Sequence, residues 1–244
     1  MIEPATAPAA GAGAPLGAEA PAIALRRIRW PQACRIVPTR YPSVYLYDRV
    51  ADAADFDALY ALESMTNERL RDELGQVERV PPAQRRFGPG SGPIMAAFTH
   101  VNLAGSRFSD GGYGVFYAAR DRATAIAETT YHHGRFLAAT AQGAMHLPMR
   151  LYHVQIDARL HDLRPVAAVP AAVHDPDDYG VARALGRRLQ AAGSAGVAYR
   201  SVRQPGGQNV GLFNPLGASA CLHAAHLLYV WDGQRFSDVY EKLP

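Results

Sequence analysis

The chain has 244 residues, 48% of them hydrophobic and 19% charged, with a formal net charge of +3. That is globular composition, which excludes a disordered or collagen-like chain, and so small a charge excess gives no nucleic-acid-binding surface. Two cysteines, Cys34 and Cys221, exclude a disulfide framework, and no run approaches the ~18–20 apolar residues of a membrane-spanning helix. A cytoplasmic protein with no membrane segment is expected. Of the 25 basic residues only Lys242 is a lysine. Genome composition accounts for most of that bias, yet arginine is also the residue that grips phosphate and carboxylate bidentately.

Residues 1–24 are mostly alanine, proline and glycine, and they cannot bury enough apolar surface to fold. They read as a disordered tail with no secretory signal, and order is expected from Leu25. Residues 43–50 (SVYLYDRV) are β-branched and aromatic and predict a strand. Residues 55–74 predict a helix, capped by Asp52 or Asp55, with Phe56, Leu59, Tyr60 and Leu62 at helical spacing. The Pro/Gly/Arg-rich stretch 80–93 is a loop, and 94–100 is a short strand. Residues 113–119 (YGVFYAA) predict a strand, and Asp121 caps a helix running to about Ala138.

Strands are expected at 149–156 and 160–164. A helix follows at 177–192, capped by Asp177 or Asp178 and closed by Gly193. Strands at 196–202 and 209–213 flank a turn at Gly206–Gly207, and 226–231 with 235–240 form a terminal hairpin. The fold class is therefore α+β, a mixed or antiparallel sheet with inserted helices.

Common chemistries are excluded by motif. The chain has no phosphate-binding P-loop, no G-x-G-x-x-G, no nucleophile elbow and no H-E-x-x-H. Glu128 and His132 stand one helical turn apart, but two ligands make no metal site, and no metal is expected. A third ligand would have to come from elsewhere, His100 or His153.

Two segments concentrate polar groups. The first is GSRFSDGGYGVFYAARDRATAIAETTYHH (105–133), with Arg107 before a Gly-rich turn, Tyr117 in an apolar strand and Glu128 in an alanine-rich helix. The second is YRSVRQPGGQNVGLFN (199–214), with Arg200, Ser201, Arg203 and Asn209 around a Pro-Gly-Gly turn. A polar strand end beside a Gly-rich turn suits close approach to a phosphate or sugar.

Together these segments resemble the RES domain family, named for its Arg, Glu and Ser signature, with Arg107, Tyr117, Glu128 and Ser201 on the signature positions. The long stretch before Arg107, which carries Arg49, resembles the family's longer subgroup. The resemblance implies an N-terminal extension over 25–92 and a catalytic core over 93–244. It implies a fold similar to ADP-ribosyltransferases. It also implies a toxin of a toxin–antitoxin pair that acts on NAD as substrate, without a cofactor. Inorganic phosphate or water would accept the ADP-ribose. A protein ADP-ribosyltransferase and a non-catalytic binding module are the alternatives. The implied partner is an Xre-type helix-turn-helix antitoxin, and the terminal hairpin edge leaves a homodimer open.

Cleaving a nicotinamide–ribose bond passes through an oxocarbenium-like state, which calls for a diphosphate anchor, a platform for nicotinamide and a negative charge near the developing cation. Arg107 suits the first role as a bidentate donor. Tyr117 suits the second, Glu128 the third, and Ser201 would hold the ribose or the leaving group. Arg49, Arg200, Arg203 and Asn209 are further candidates for binding substrate.

Overall fold

The computed structural model describes residues 23–41, 46–50, 52–64 and 74–242. The expected tail lies outside the described residues up to residue 22, as does the expected helix beyond Ser64, except for Leu74. The described residues form seven strands in one sheet: β1 (Leu25–Pro38), β2 (Phe116–Ala119), β3 (Met145–Asp162), β4 (Gly196–Arg200), β5 (Gln208–Leu212), β6 (Ala218–Trp231) and β7 (Phe236–Glu241). The order is β1-β2-β5-β4-β3-β6-β7, and β1 also pairs with β3. That second pairing closes the first five strands into a ring. Only β3 and β4 run parallel; every other pair is antiparallel. The α+β expectation with a mixed sheet matches this architecture.

Five α-helices, besides short 3-10 turns, accompany the sheet among the described residues: α1 (Leu46–Arg49), α2 (Ala53–Ser64), α3 (Gly92–Thr99), α4 (Arg122–Ala139) and α5 (Gly180–Ala191). Asp52 caps α2, its Oδ1 accepting the N–H groups of Ala54 and Asp55, both at 2.9 Å. Asp121 caps α4 by accepting from Thr124 N at 2.8 Å. These bonds satisfy donors that every helix start leaves unpaired.

Two expected strands are helical. The 43–50 segment forms the single turn α1 where it is described, because Tyr47 is used as a packing plate. Its ring is fully buried and stacks on Phe56 at 4.9 Å. Asp48 Oδ1 also accepts Gly92 N–H at 2.7 Å. Tertiary packing overrides the β preference of the aromatic run. The 94–100 segment is α3, opened by Pro93 in its first turn and buried at Ile94, Met95, Phe98 and Thr99. A short helix buried on all sides has no polar face, so its sequence cannot be told from a buried strand by periodicity. The helix expected from Asp177 starts at Gly180 instead. Asp175 Oδ1 accepts the N–H groups of Asp177 and Asp178 at 2.8 and 2.7 Å and folds that stretch into a turn. Gly193, at φ +75°, closes the helix as expected.

The longest strand pairing in the sheet was not anticipated. β1 runs alongside β3 in twelve paired positions, from Leu25↔His161 to Pro38↔Met149, with a bulge between Trp30 and Ala33. Pro31 and Gln32 break the alternation there, and the bulge absorbs the extra residue.

The core has three parts. Under α3 lie Phe116, Val210, Leu212 and Ala198. Under α5 lie Phe108, Val197, Tyr199 and Phe213. Under α4 lie Met149, Leu151, Leu227 and Tyr229. Gly186 makes the closest backbone approach: a Cβ there would meet Phe108 O at 2.2 Å. Only glycine lets α5 lie so close against the loop that carries Arg107.

Candidate active site

The site is assembled where the β4–β5 turn meets α4. In the hairpin, Tyr199 pairs with Asn209 and Arg200 with Gln208. The connecting turn is held from within: Ser201 Oγ accepts the N–H groups of Arg203 and Gln204 at 3.1 and 3.0 Å, and Ser201 N donates to Gly207 O at 2.9 Å. A Cβ on Gly207 would meet Thr124 Oγ1 at 2.7 Å, so this turn rests on the first turn of α4. One turn further along α4, Thr129 Oγ1 shares a 2.8 Å hydrogen bond with the Tyr229 hydroxyl. That contact fixes the helix's rotation and turns Glu128 toward the hairpin.

Glu128 is the centre of the arrangement. Its Oε1 accepts from Ser201 Oγ at 2.7 Å and from Asn209 Nδ2 at 2.8 Å. Asn209 is 3% exposed, so its bond to the carboxylate is shielded from solvent. Oε1 takes both of these donors, and His132 Nε2 lies 3.9 Å from Oε2. Burial lowers the His132 pKa, the Glu128 charge opposes that, and Arg203, Arg107 and Arg135 reinforce it. The net effect favours the neutral ring.

Arg107 lies on the loop between α3 and β2 and is 7% exposed. Its guanidinium sits 4.3 Å from the ring centroid of Tyr179, and Nη1 donates to Asp175 O at 2.7 Å and Val173 O at 3.4 Å. Tyr117 holds this loop. Its hydroxyl accepts Phe108 N–H at 3.0 Å and bonds Ser106 Oγ at 2.8 Å, gripping the residues on both sides of Arg107. Burial pushes the Tyr117 phenol up to about 12, so it stays protonated. Its contacts make it a positioning residue for Arg107.

Arg203 reaches across the turn. Its guanidinium lies 3.2 Å from the ring centroid of Tyr131, donates to Pro176 O, and stands 3.5 Å from Asp177 Oδ1. Arg200 is exposed at the rim of a cleft of about 580 Å³ that opens beside Ser201, with Arg164, His174 and Gln208 also in its wall. Arg164 is bound by Asp162 at 2.7 Å and by Gln208 Oε1 at 2.8 Å. His174 Nε2 is buried without a hydrogen-bond partner among the described residues. Burial, with Arg200 and Arg107 nearby, lowers the His174 pKa to about 4.

The structure thus brings Glu128, Ser201 and Asn209 into direct contact, with Arg203 bonded to Ser201 and Arg200 beside it. Arg107 and Tyr117 form the neighbouring wall. Arg49 is not brought to this constellation: it is exposed on α1, which packs on α3. The expected strand that would have carried it is a helical turn, so its side chain takes a different direction. Sequence reasoning assigned no site role to His174, Arg164, Tyr131 or Tyr179, and it read Asp177 only as a helix cap. The run HDPDDY (174–179), acidic and aromatic just before a helix, is the signal that could have found part of them. No group of three or more His, Cys, Asp or Glu among the described residues is arranged to hold a metal ion. His153 bonds Gln32 and His100 bonds Thr99, so neither joins Glu128 and His132. No helix among the described residues is long and apolar enough to cross a membrane.

The profile of the RES domain matches residues 77–232, and the chain belongs to that family. A relative from Sinorhizobium fredii, the uncharacterized protein y4oC, is 27% identical over 213 residues, which span 84% of this chain and 85% of that protein. Among solved structures, the M. tuberculosis MbcT–MbcA toxin–antitoxin complex contains a chain with a TM-score of 0.42 and 13% identity. The match covers 88% of this chain and 86% of that one.

Proposed function

We propose that this protein is a toxin-type enzyme that breaks the nicotinamide–ribose bond of NAD and passes the ADP-ribosyl group to inorganic phosphate or water. The observation that carries the reading is the locked Glu128 carboxylate: two donors fix Oε1, and Oε2 stands 3.9 Å from His132, a ring that Arg203 and Arg107 act on. A fixed negative charge beside cationic anchors suits a substrate that pairs an anionic diphosphate with a ribose turning cationic.

In this mechanism Arg107 and Arg203 bind the diphosphate. Glu128 Oε2 lies against the nicotinamide ribose, accepts from its hydroxyls and stabilises the oxocarbenium as the C–N bond breaks. Nicotinamide leaves with the bonding electron pair, which neutralises its ring nitrogen. Ser201 holds the carboxylate and is not a covalent nucleophile, because its oxygen already accepts two backbone N–H groups and its proton goes to Glu128. An oxygen of the acceptor then forms the new bond to the ribose carbon; phosphate enters as an anion, and water gives up a proton to solvent. The cleft with Arg200, Arg164 and His174 beside Ser201 favours an anionic acceptor, so phosphate is the preferred reading and ADP-ribose-1″-phosphate the product.

Family membership supports the toxin role and an Xre-type helix-turn-helix antitoxin as partner, with the NAD pool of the cytoplasm as target. The test is purified protein with labelled NAD, with and without phosphate, followed by product identification. Phosphate-dependent formation of the phosphorylated sugar supports the phosphorylase. ADP-ribose alone supports a hydrolase, label on protein supports a transferase, and no turnover refutes the enzyme reading.

A further inference from the structure

Arg107 and Arg203 are both already bound, and to the same piece of chain. The segment 173–178 (VHDPDD) links the short helical turn Ala171–His174 to α5. Arg107 Nη1 takes the carbonyl oxygens of Val173 and Asp175. Arg203 takes the carbonyl oxygen of Pro176 and stands 3.5 Å from the Asp177 carboxylate. The Tyr131 hydroxyl donates to the same carboxylate, and Arg135 lies 3.9 Å from it. Two guanidinium groups on one run of closely spaced oxygens is the ligand pattern of a bound diphosphate.

We propose that this acidic strap occupies the diphosphate positions in the free protein and that NAD binds by displacing it. The inference rests on reading Arg107 and Arg203 as diphosphate anchors. The strap is suited to release. Pro176, Asp177 and Asp178 are exposed, and the Asp177 side chain is 71% exposed, so its ion pairs are screened and weak. Its carbonyls offer only partial charges, whereas a diphosphate offers two full ones. The strap is also anchored at both ends, by buried Val173 and by α5 from Gly180, so it can swing without unfolding the core. Its effect is a toll on substrate binding: apparent affinity falls by the fraction of molecules whose strap is open.

Asp177→Asn tests this, because Asp177 touches the strap's anchors and has no place in the proposed chemistry. The expected result is a fall of about 3–10-fold in KM for NAD with kcat nearly unchanged, as more molecules have the arginines free. Hydrogen exchange supplies a readout independent of turnover. The backbone amides of His174, Asp175, Asp177 and Asp178 are expected to exchange faster when NAD or inorganic pyrophosphate is added, while the rest of the site slows. An unchanged or raised KM in the variant, or strap amides that slow with pyrophosphate, would overturn the proposal. Should the wild-type protein release no nicotinamide, the proposed function fails, and the pyrophosphate exchange still decides the strap.

Discussion

Ser201 Oγ lies 2.7 Å from Glu128 Oε1, joining residues 73 apart in the chain. The same serine oxygen accepts two backbone N–H groups of its own turn, so its single proton is committed to the carboxylate. The bond couples the shape of the β4–β5 turn to the position of the charge that the proposed reaction requires.

Asn209 completes that coupling from the buried side. Asn209→Ala leaves Glu128 with one fixed donor and removes a shielded charge-assisted hydrogen bond. Nicotinamide release is expected to fall about 10–100-fold. Stability is expected to drop by about 1–3 kcal/mol, read from urea unfolding. Ser201→Ala acts in the same direction on activity and also loosens the turn.

Tyr117 acts through Arg107. Tyr117→Phe removes the two hydroxyl contacts that bracket the arginine. The expected outcome is a rise of about tenfold in KM for NAD with a smaller change in kcat, since ground-state anchoring is what is lost. The phenol's own pKa is pushed up to about 12, so steady-state profiles between pH 6 and 9 are expected to keep their shape.

The support under Arg107 is a close backbone contact. Gly186→Ala would set a Cβ 2.2 Å from Phe108 O, and neither backbone has an easy direction to yield. Thermal unfolding is expected to show a loss of about 1–3 kcal/mol, with weaker NAD binding because the displaced residue adjoins Arg107.

Acid is expected to destabilise the fold through two histidines. His133 and His174 both have pKa values lowered to about 4, chiefly by burial, with Arg40 near the first and Arg200 near the second. The unfolded chain takes up these protons near pH 6.5 and the folded one only near 4. Between those values the unfolded state binds more protons, so stability falls as pH drops through that window and is fully present above it. Tm measured from pH 7.5 to 4.5 should decline, and less steeply in His133→Gln and His174→Gln.

Much of the site is legible in the sequence because its parts are local. Arg107, Tyr117 and Glu128 fall within one loop–strand–helix passage, and Ser201 and Asn209 flank one turn. Spacing alone thus puts each side chain on its element. The Glu128–Asn209 contact spans 81 residues and depends on α4 lying over the hairpin, which no local pattern encodes. The strap reads as a helix start because Asp177 and Asp178 are good caps. Asp175 claims their N–H groups first. β1 does not read as a strand because its alternation breaks at Pro31–Gln32, and α1 and α3 do not read as helices because buried aromatic and apolar runs carry no period.

Nicotinamide release by the wild-type protein and by Glu128→Gln, with purified protein, NAD and phosphate, tests the central claim most directly. The glutamine keeps one oxygen to accept from Ser201 and Asn209 and replaces the charged Oε2 acceptor with a neutral amide NH2. The account predicts steady release by the wild type and a loss of about 100-fold or more in a variant that still folds. Equal release by both, or none by either, would contradict it.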